Sequence, residues 1–269
     1  MKELVRLKTE PEIATMRRAG LVVAEMLERC RAAVRPGVTT LELDRIAREV
    51  LREHGAVSSF LGYGHPPFPA TVCTSVNEEI VHGIPGRRKL REGDIVGIDA
   101  GAIVDGWHAD AAVTVPVGRV APEVQRLIDT TEEALRRGIA AVRAGGRLGD
   151  IGATVQRFAE GSGYSVVRNY VGHGIGEAMH EPPQVPNHGS PGQGRPINEG
   201  LCLAIEPMVN LGRPETRLLE DDWTVVTADG SLSAHFEHTI AVTHDGPVVL
   251  TAAAGTGPRG RLVGAAKHV

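Results

Sequence analysis

The sequence predicts an α+β fold, an antiparallel β-sheet with helices on its outer side, assembled from two related halves. One reason is an internal echo. Shifting the chain by 108 residues lays "EMLERCRAAVRPG" (25–37) over "EALRRGIAAVRAG" (133–145), so that Glu25 meets Glu133, Leu27 meets Leu135 and Arg29 meets Arg137. The match continues through "TTLELDRIAREVLREHG" against "RLGDIGATVQRFAEGSG" and closes with Gly55 over Gly163. The other reason is that each helical pair leads into a strand-rich segment, 70–118 in the first half and 166–249 in the second.

Each element has a local cause. Helices are expected at 11–34 and 122–143, both opening on Pro-Glu and running without internal proline, as the first helical turn favours. The second helix of each pair stops at its glycine, which accepts the left-handed conformation that ends a helix. The stretch "VGIDAGAIVDGWHADAAVTVPVG" (96–118) reads as a hairpin, two apolar runs about an Asp105-Gly106 turn. No low-complexity linker separates the halves, so residues 1–255 are expected to form one domain with an internal duplication, about 11–118 and 122–249. Residues 256–269, rich in glycine and small residues, are expected to be a flexible tail.

Composition excludes several classes. A net charge of −4 gives no basic footprint for nucleic acid. No apolar run approaches the roughly 18 residues of a membrane span. The N-terminus lacks the apolar core and cleavage site of a secretory signal. Cys30, Cys73 and Cys202 are odd in number and contain no CxxC pair, which argues against a disulfide framework or a zinc knuckle and for a reduced, cytoplasmic protein.

The hairpin poses the chemical question, because Asp99 and Asp110 sit inside its apolar runs. A turn at 104–106 brings them opposite or diagonal on neighbouring strands. Two close carboxylates repel, and one must take a proton unless a cation neutralises both. Alternatively, one or both cap the turn or face solvent. The second half adds isolated polar residues in apolar or glycine-rich surroundings: His173 and His180 in "NYVGHGIGEAMHEPPQVPN", Glu206 in "GLCLAIEPMVN" and Glu237 in "SLSAHFEHTIAVT". A lone glutamate in such a strand is costly without a cation or hydrogen-bond donors. Asp99, Asp110, Glu206 and Glu237 carry four negative charges and His173 a neutral imidazole, which balances two divalent ions. Oxygen-rich ligation with one imidazole suits Mn, Fe(II), Co or Zn, in the paired arrangement of aminopeptidases and other hydrolases.

Other motifs carry less. "HEPPQ" (180–184) begins like HExxH but ends in Gln, and its prolines prevent the helical turn that motif needs. "GHGIGE" has the glycine density of a phosphate loop but the wrong spacing, and there is no GxSxG elbow. Cys73 lacks a thiolate-activating signature. His108, His235 and His238 lie beside candidate ligands and are either supporting partners, structural or exposed.

With these residues in this order the chain resembles the type I methionine aminopeptidases of the pita-bread fold. The resemblance rests on "NEEIVHGIP" (77–85), "DAGAIVDGWHAD" (99–110), "GHGIG" (172–176), "MHEPPQVPN" (179–187), "IEPM" (205–208) and "SAHFEHT" (233–239), and spans Ile13 to Thr251. It implies pseudo-twofold halves and Asp99, Asp110, His173, Glu206 and Glu237 as ligands of a dinuclear centre. Glu206 would also act as the base, and His82 and His180 as substrate-binding groups. It further implies removal of N-terminal methionine from nascent polypeptides with a small second residue, by a monomer transiently associated with the ribosome. The type II helical insertion has no room between Glu206 and Glu237, and with the first helix starting within about a dozen residues of Met1 no zinc-binding or PxxP-bearing N-terminal extension is expected, so the short, bacterial-like form is expected. A methionine pocket is expected from Tyr63, Phe68, Cys73, Met179 and Trp223, with two departures from the family. Met179 replaces its usual aromatic, and the 61–73 loop is about two residues longer than in common bacterial relatives. The competing expectations are a related X-Pro aminopeptidase or prolidase, and a binding module of the same fold without catalysis.

Overall fold

The computed structural model describes residues 5–253, so the segment 256–269, expected to be a flexible tail, lies outside the described residues. The chain opens with helices α1 (Glu10–Ala33) and α2 (Thr40–His54), followed by strands β1 (Val57–Ser58), β2 (Val72–Val76), β3 (Glu79–Val81), β4 (Ile95–Val104) and β5 (Trp107–Pro116). Helices α3 (Pro122–Ala140) and α4 (Leu148–Gly161) come next, then β6 (Ser165–Val166), β7 (Gly172–Gly174), β8 (Glu181–Val185), β9 (Cys202–Ile205) and β10 (Met208–Asn210). The last strands are β11 (Thr216–Leu218), β12 (Val225–Thr227), β13 (Ser233–His235), β14 (Glu237–Thr243) and β15 (Gly246–Val249).

Helix starts are set by side chains that satisfy free amides. Glu42 accepts the Thr39 N–H at 2.7 Å while Thr39 Oγ1 accepts the Glu42 N–H at 3.3 Å, a reciprocal box at the head of α2. Glu12 and Asp150 accept the Thr9 and Arg147 amides in the same way at α1 and α4. Helix α2 ends at Gly55, φ 60°. Helix α3 stops at Ala140, before the expected 143, because the chain turns at Gly145 (φ 81°) and its amide bonds Ile197 O at 2.8 Å. The offset of 108 residues recurs beyond the helices: β1 and β6 stand at 57–58 and 165–166. Isolated bridges tether Thr39 to Lys89 and Arg147 to Pro196, just before α2 and α4.

The main sheet has nine strands in the order β1-β4-β5-β14-β9-β7-β8, with β2 on β4 and β15 on β14. Every pairing within it is antiparallel. Two three-stranded sheets, β13-β10-β6 and β11-β12-β3, complete the strands. The β4–β5 hairpin closes on a two-residue turn, Val104 paired with Trp107 and both Asp105 (φ 49°) and Gly106 (φ 81°) left-handed. Both positive φ values match the type I′ turn that suits strand twist.

Alternation divides the sheet. Ile98, Ala100 and Ala102 of β4 lie opposite Val113, Ala111 and Ala109 of β5, and all six are buried in the core that includes Val23, Met26 and Leu27 of α1. Small alanines let α1 approach closely, and the burial of this face holds the hairpin in register. A one-residue slip would carry the aspartates into the hydrocarbon layer. The other face is left for polar chemistry.

Candidate metal centre

The register dictates the centre. Asp99 pairs with Ala112 and Gly101 with Asp110, so the two aspartates are diagonal neighbours on one face. Ala112 also pairs with Glu237 across β14, placing that glutamate on the same face. Two residues on, Thr239 pairs with Ala204 of β9, which in turn pairs with His173 of β7. Glu206 follows β9 directly and continues the alternation from Ala204. Five residues from β4, β5, β7, β14 and the end of β9 therefore converge without any loop having to fold back. Gly101 keeps the approach open, since a Cβ there would lie 2.8 Å from Phe60 Cε1 and Ser59 Cβ.

Distances show a tight acidic cluster. Ligand atoms of Asp110, His173 and Glu237 all lie within 4.8 Å of one another. His173 Nε2 is 3.5 Å from Asp110 Oδ2 and 3.6 Å from Glu206 Oε1, and His235 Nε2 is 3.9 Å from Glu206 Oε2. Thr239 Oγ1 donates to Asp110 Oδ1 at 3.0 Å, and the Asn187 amide fixes the Glu206 carbonyl at 2.9 Å. His173 Nδ1–H donates to Gly174 O at 2.8 Å, which turns the other ring nitrogen toward the carboxylates, as in metal-bound histidines.

Electrostatics say what the cluster lacks. Burial, then the neighbouring carboxylates, drive Asp99 and Glu237 well above the ordinary range, and burial with Asp110 pushes Glu206 up to about 8. Asp110 is held below its usual value: burial opposes this, but His173 and Thr239 outweigh it. Burial would lower His173, yet Asp110 and Glu206 raise it to about 9. Asp99 Oδ1 is buried with no hydrogen-bond partner. An unpartnered buried carboxylate oxygen beside other carboxylates is what a cation relieves. The donor set of carboxylate oxygens and one imidazole therefore fits divalent metal, and this cluster is a divalent-metal site.

The other expected residues flank it. The His180 ring stands 4.2 Å from that of His173, and its Nδ1 is 2.6 Å from the Tyr63 hydroxyl. His82 (φ 60°) places its ring 6.1 Å from Tyr170 and 6.0 Å from Trp223. Burial holds His82 at about 4 and His235 at about 3. His180 is also held at about 4, by partial burial and by His173. Phe68, Cys73 and Met179 share a buried cluster with Phe60 and Ala70, and Ile84 and Trp223 pack against it. Tyr63 stands outside that cluster, on the exposed rim. Cys73 pairs with Asp99, so it borders the acidic face, and burial drives its thiol far from ionising.

Phe60, Ala70 and Ile84 were not legible in the sequence, since loop contacts have no periodicity; Phe60 and Ala70 nonetheless lie beside or within the 61–73 loop. Of the flanking histidines, His108 shares the face of Asp110 one pleat nearer the turn and bonds Ser59 Oγ at 2.9 Å. His238 points to the opposite face, where it meets Thr251 Oγ1 at 2.7 Å. Cys30, Cys73 and Cys202 are free thiols. No helix among the described residues is long and apolar enough to cross a membrane.

Comparison with known proteins agrees with this geometry. Residues 14–244 match metallopeptidase family M24. A methionine aminopeptidase of Clostridium perfringens is 50% identical over 249 residues, covering 92% of this chain and 99% of that one. The crystal structure of methionine aminopeptidase from Rickettsia prowazekii superposes with a TM-score of 0.90 at 44% identity, covering 92% of this chain and 100% of the other. An Xaa-Pro dipeptidase from Bacillus anthracis, 23% identical, shares the fold with a TM-score of 0.73 over 91% of this chain and 61% of its own. A curled antiparallel sheet with one acidic face, matched over nearly its whole length at this identity, places the chain in metallopeptidase family M24, among the methionine aminopeptidases.

Proposed function

We propose that this chain removes the N-terminal methionine of nascent proteins and peptides whose second residue is small. The observation that carries the reading is the convergence of Asp99, Asp110, His173, Glu206 and Glu237 on one sheet face beside a sulfur-and-aromatic cluster. Similarity to methionine aminopeptidases supports the choice of substrate over an X-Pro peptide. The intact set of five candidate ligands speaks against a binding module that has lost catalysis.

Those five residues would hold two divalent ions drawn from Mn, Fe(II), Co or Zn. Bound there, the ions supply Lewis acidity, making water a competent nucleophile near neutral pH and polarising the scissile carbonyl. The chain's own groups do the rest. Glu206 accepts the proton of the attacking water and returns it to the leaving amine. His180 donates a hydrogen bond to the oxyanion, and His82 holds the backbone beyond the scissile bond. Phe68, Cys73, Met179 and Trp223 enclose the methionine thioether, a soft group that packs well on aromatics and sulfur. The two helix–strand halves act as one catalytic unit, because the ligands come from strands of both. We place the protein in the cytoplasm, as a monomer that meets its substrates near the ribosome.

The test is mass spectrometry of Met-Ala-Ser and Met-Lys-Ser incubated with metal-stripped protein, before and after adding Mn(II) or Co(II). Loss of one methionine from Met-Ala-Ser alone, and only with metal, is expected. Folded protein that cleaves neither peptide with any divalent ion would refute the reading.

A further inference from the structure

Sequence places Tyr63 in the methionine pocket, and in the structure its hydroxyl lies 2.6 Å from His180 Nδ1, with the two rings 5.2 Å apart. A phenol is the better donor of this pair and an imidazole nitrogen the better acceptor, so the favoured arrangement has Tyr63 O–H donating to Nδ1. A neutral ring whose Nδ1 accepts must carry its proton on Nε2.

The loop is built to deliver that hydroxyl. Gly62 N–H bonds Phe68 O and Phe68 N–H bonds Tyr63 O, each at 2.8 Å, while Tyr63 N–H bonds Phe60 O at 2.9 Å. Phe60 and Phe68 anchor both ends in the buried cluster, and Trp223 Nε1–H grips Pro66 O at 3.0 Å. Tyr63 itself is 39% exposed, so packing alone does not explain its place.

We propose that Tyr63 is a positioning residue, which fixes the tautomer and ring orientation of His180 so that Nε2–H is the hydrogen-bond donor offered to the substrate. This rests on the role given to His180 above. Tyr63 touches the histidine and not the reacting atoms. Its contribution belongs to the transition state, where the oxyanion needs a donor already aimed, so its loss lowers turnover more than binding.

The experiment uses 15N-histidine-labelled, metal-stripped protein, with the His180 signals assigned by their absence in His180→Ala. Wild type is expected to show Nδ1 unprotonated and Nε2 protonated, and Tyr63→Phe a mixture of tautomers. In metal-loaded enzyme, Tyr63→Phe should lower kcat for Met-Ala-Ser about tenfold with KM little changed, the size of one lost hydrogen bond. The same change made in His180→Ala should cost nothing further. A proton on Nδ1 in wild type, a rise in KM alone, or an equal loss in the His180→Ala background would overturn the proposal. Full activity of His180→Ala would instead remove the role given to His180, while the wild-type tautomer still decides whether Tyr63 sets it.

Discussion

Two aspartates, Asp44 and Asp99, both reach the interior, and the chain treats them in opposite ways. Asp44 in α2 is fully satisfied: Oδ1 accepts the Thr71 N–H and Oδ2 accepts Arg48 Nε–H, each at 2.6 Å. Asp99 in β4 faces Asp110, Glu206 and Glu237 and leaves Oδ1 buried without a partner. One carboxylate closes a local structure and the other leaves an electrostatic deficit. Burial of a charge is therefore poor evidence of function by itself. A charge buried among like charges, with an oxygen left unpartnered, marks a site that a cation completes.

Glu206→Ala should abolish metal binding and lower activity by about a thousandfold or more, since the proposed ligand and proton acceptor vanish together. Full metal content in that variant, read by elemental analysis, would remove Glu206 from the ligands. Asp99→Asn should weaken metal binding by more than the roughly 10–100-fold that loss of a supporting group costs, while raising the melting temperature of the metal-free protein. Asp44→Ala should do the reverse, losing about 1–3 kcal/mol by stranding the Thr71 amide, with metal content and turnover intact.

The pH dependence of metal-free stability sharpens the contrast. Glu206 in the folded state sits at about 8 against an ordinary value of 4.5, and His173 at about 9 against 6.5. Both groups hold more protons folded than unfolded in those windows, so their contribution is complete at low pH and is lost as pH rises toward 8 and 9. The metal-free melting temperature should therefore fall between pH 7 and 9, above the range where the buried neutral histidines favour the folded chain with rising pH, and saturating metal should cancel the slope. An unchanged slope with metal would separate the titrating groups from the site. The smallest effect is expected at Met179, buried in the pocket cluster. Met179→Leu keeps volume but loses the sulfur, and should raise KM for methionyl peptides within about tenfold at unchanged kcat.

How much of this was legible in the sequence depends on whether the signal was periodic. Asp99, Asp110, Glu206 and Glu237 stood out because each interrupts an apolar run, and the Asp105-Gly106 turn placed the first two near each other. The helix pairs were readable from proline starts, glycine stops and the 108-residue echo, with only the end of α3 misplaced. The 61–73 loop was not readable in the same way. Its conformation comes from bonds such as Trp223 to Pro66 and Tyr63 to His180, which join residues more than a hundred positions apart. Likewise, Lys8 reaches 173 residues ahead to pair with Glu181 at 2.7 Å, beside His180. Nothing in local patterning announces such partners, because loops have neither a period nor a face.

Calorimetric titration of Mn(II) into metal-stripped wild type, Asp99→Asn and Asp44→Ala proteins at neutral pH decides whether the acidic face holds metal. Two ions per wild-type chain are expected, the same for Asp44→Ala, and markedly weakened binding for Asp99→Asn. No binding to folded wild type, or binding indifferent to Asp99→Asn, would contradict metal binding by this acidic face.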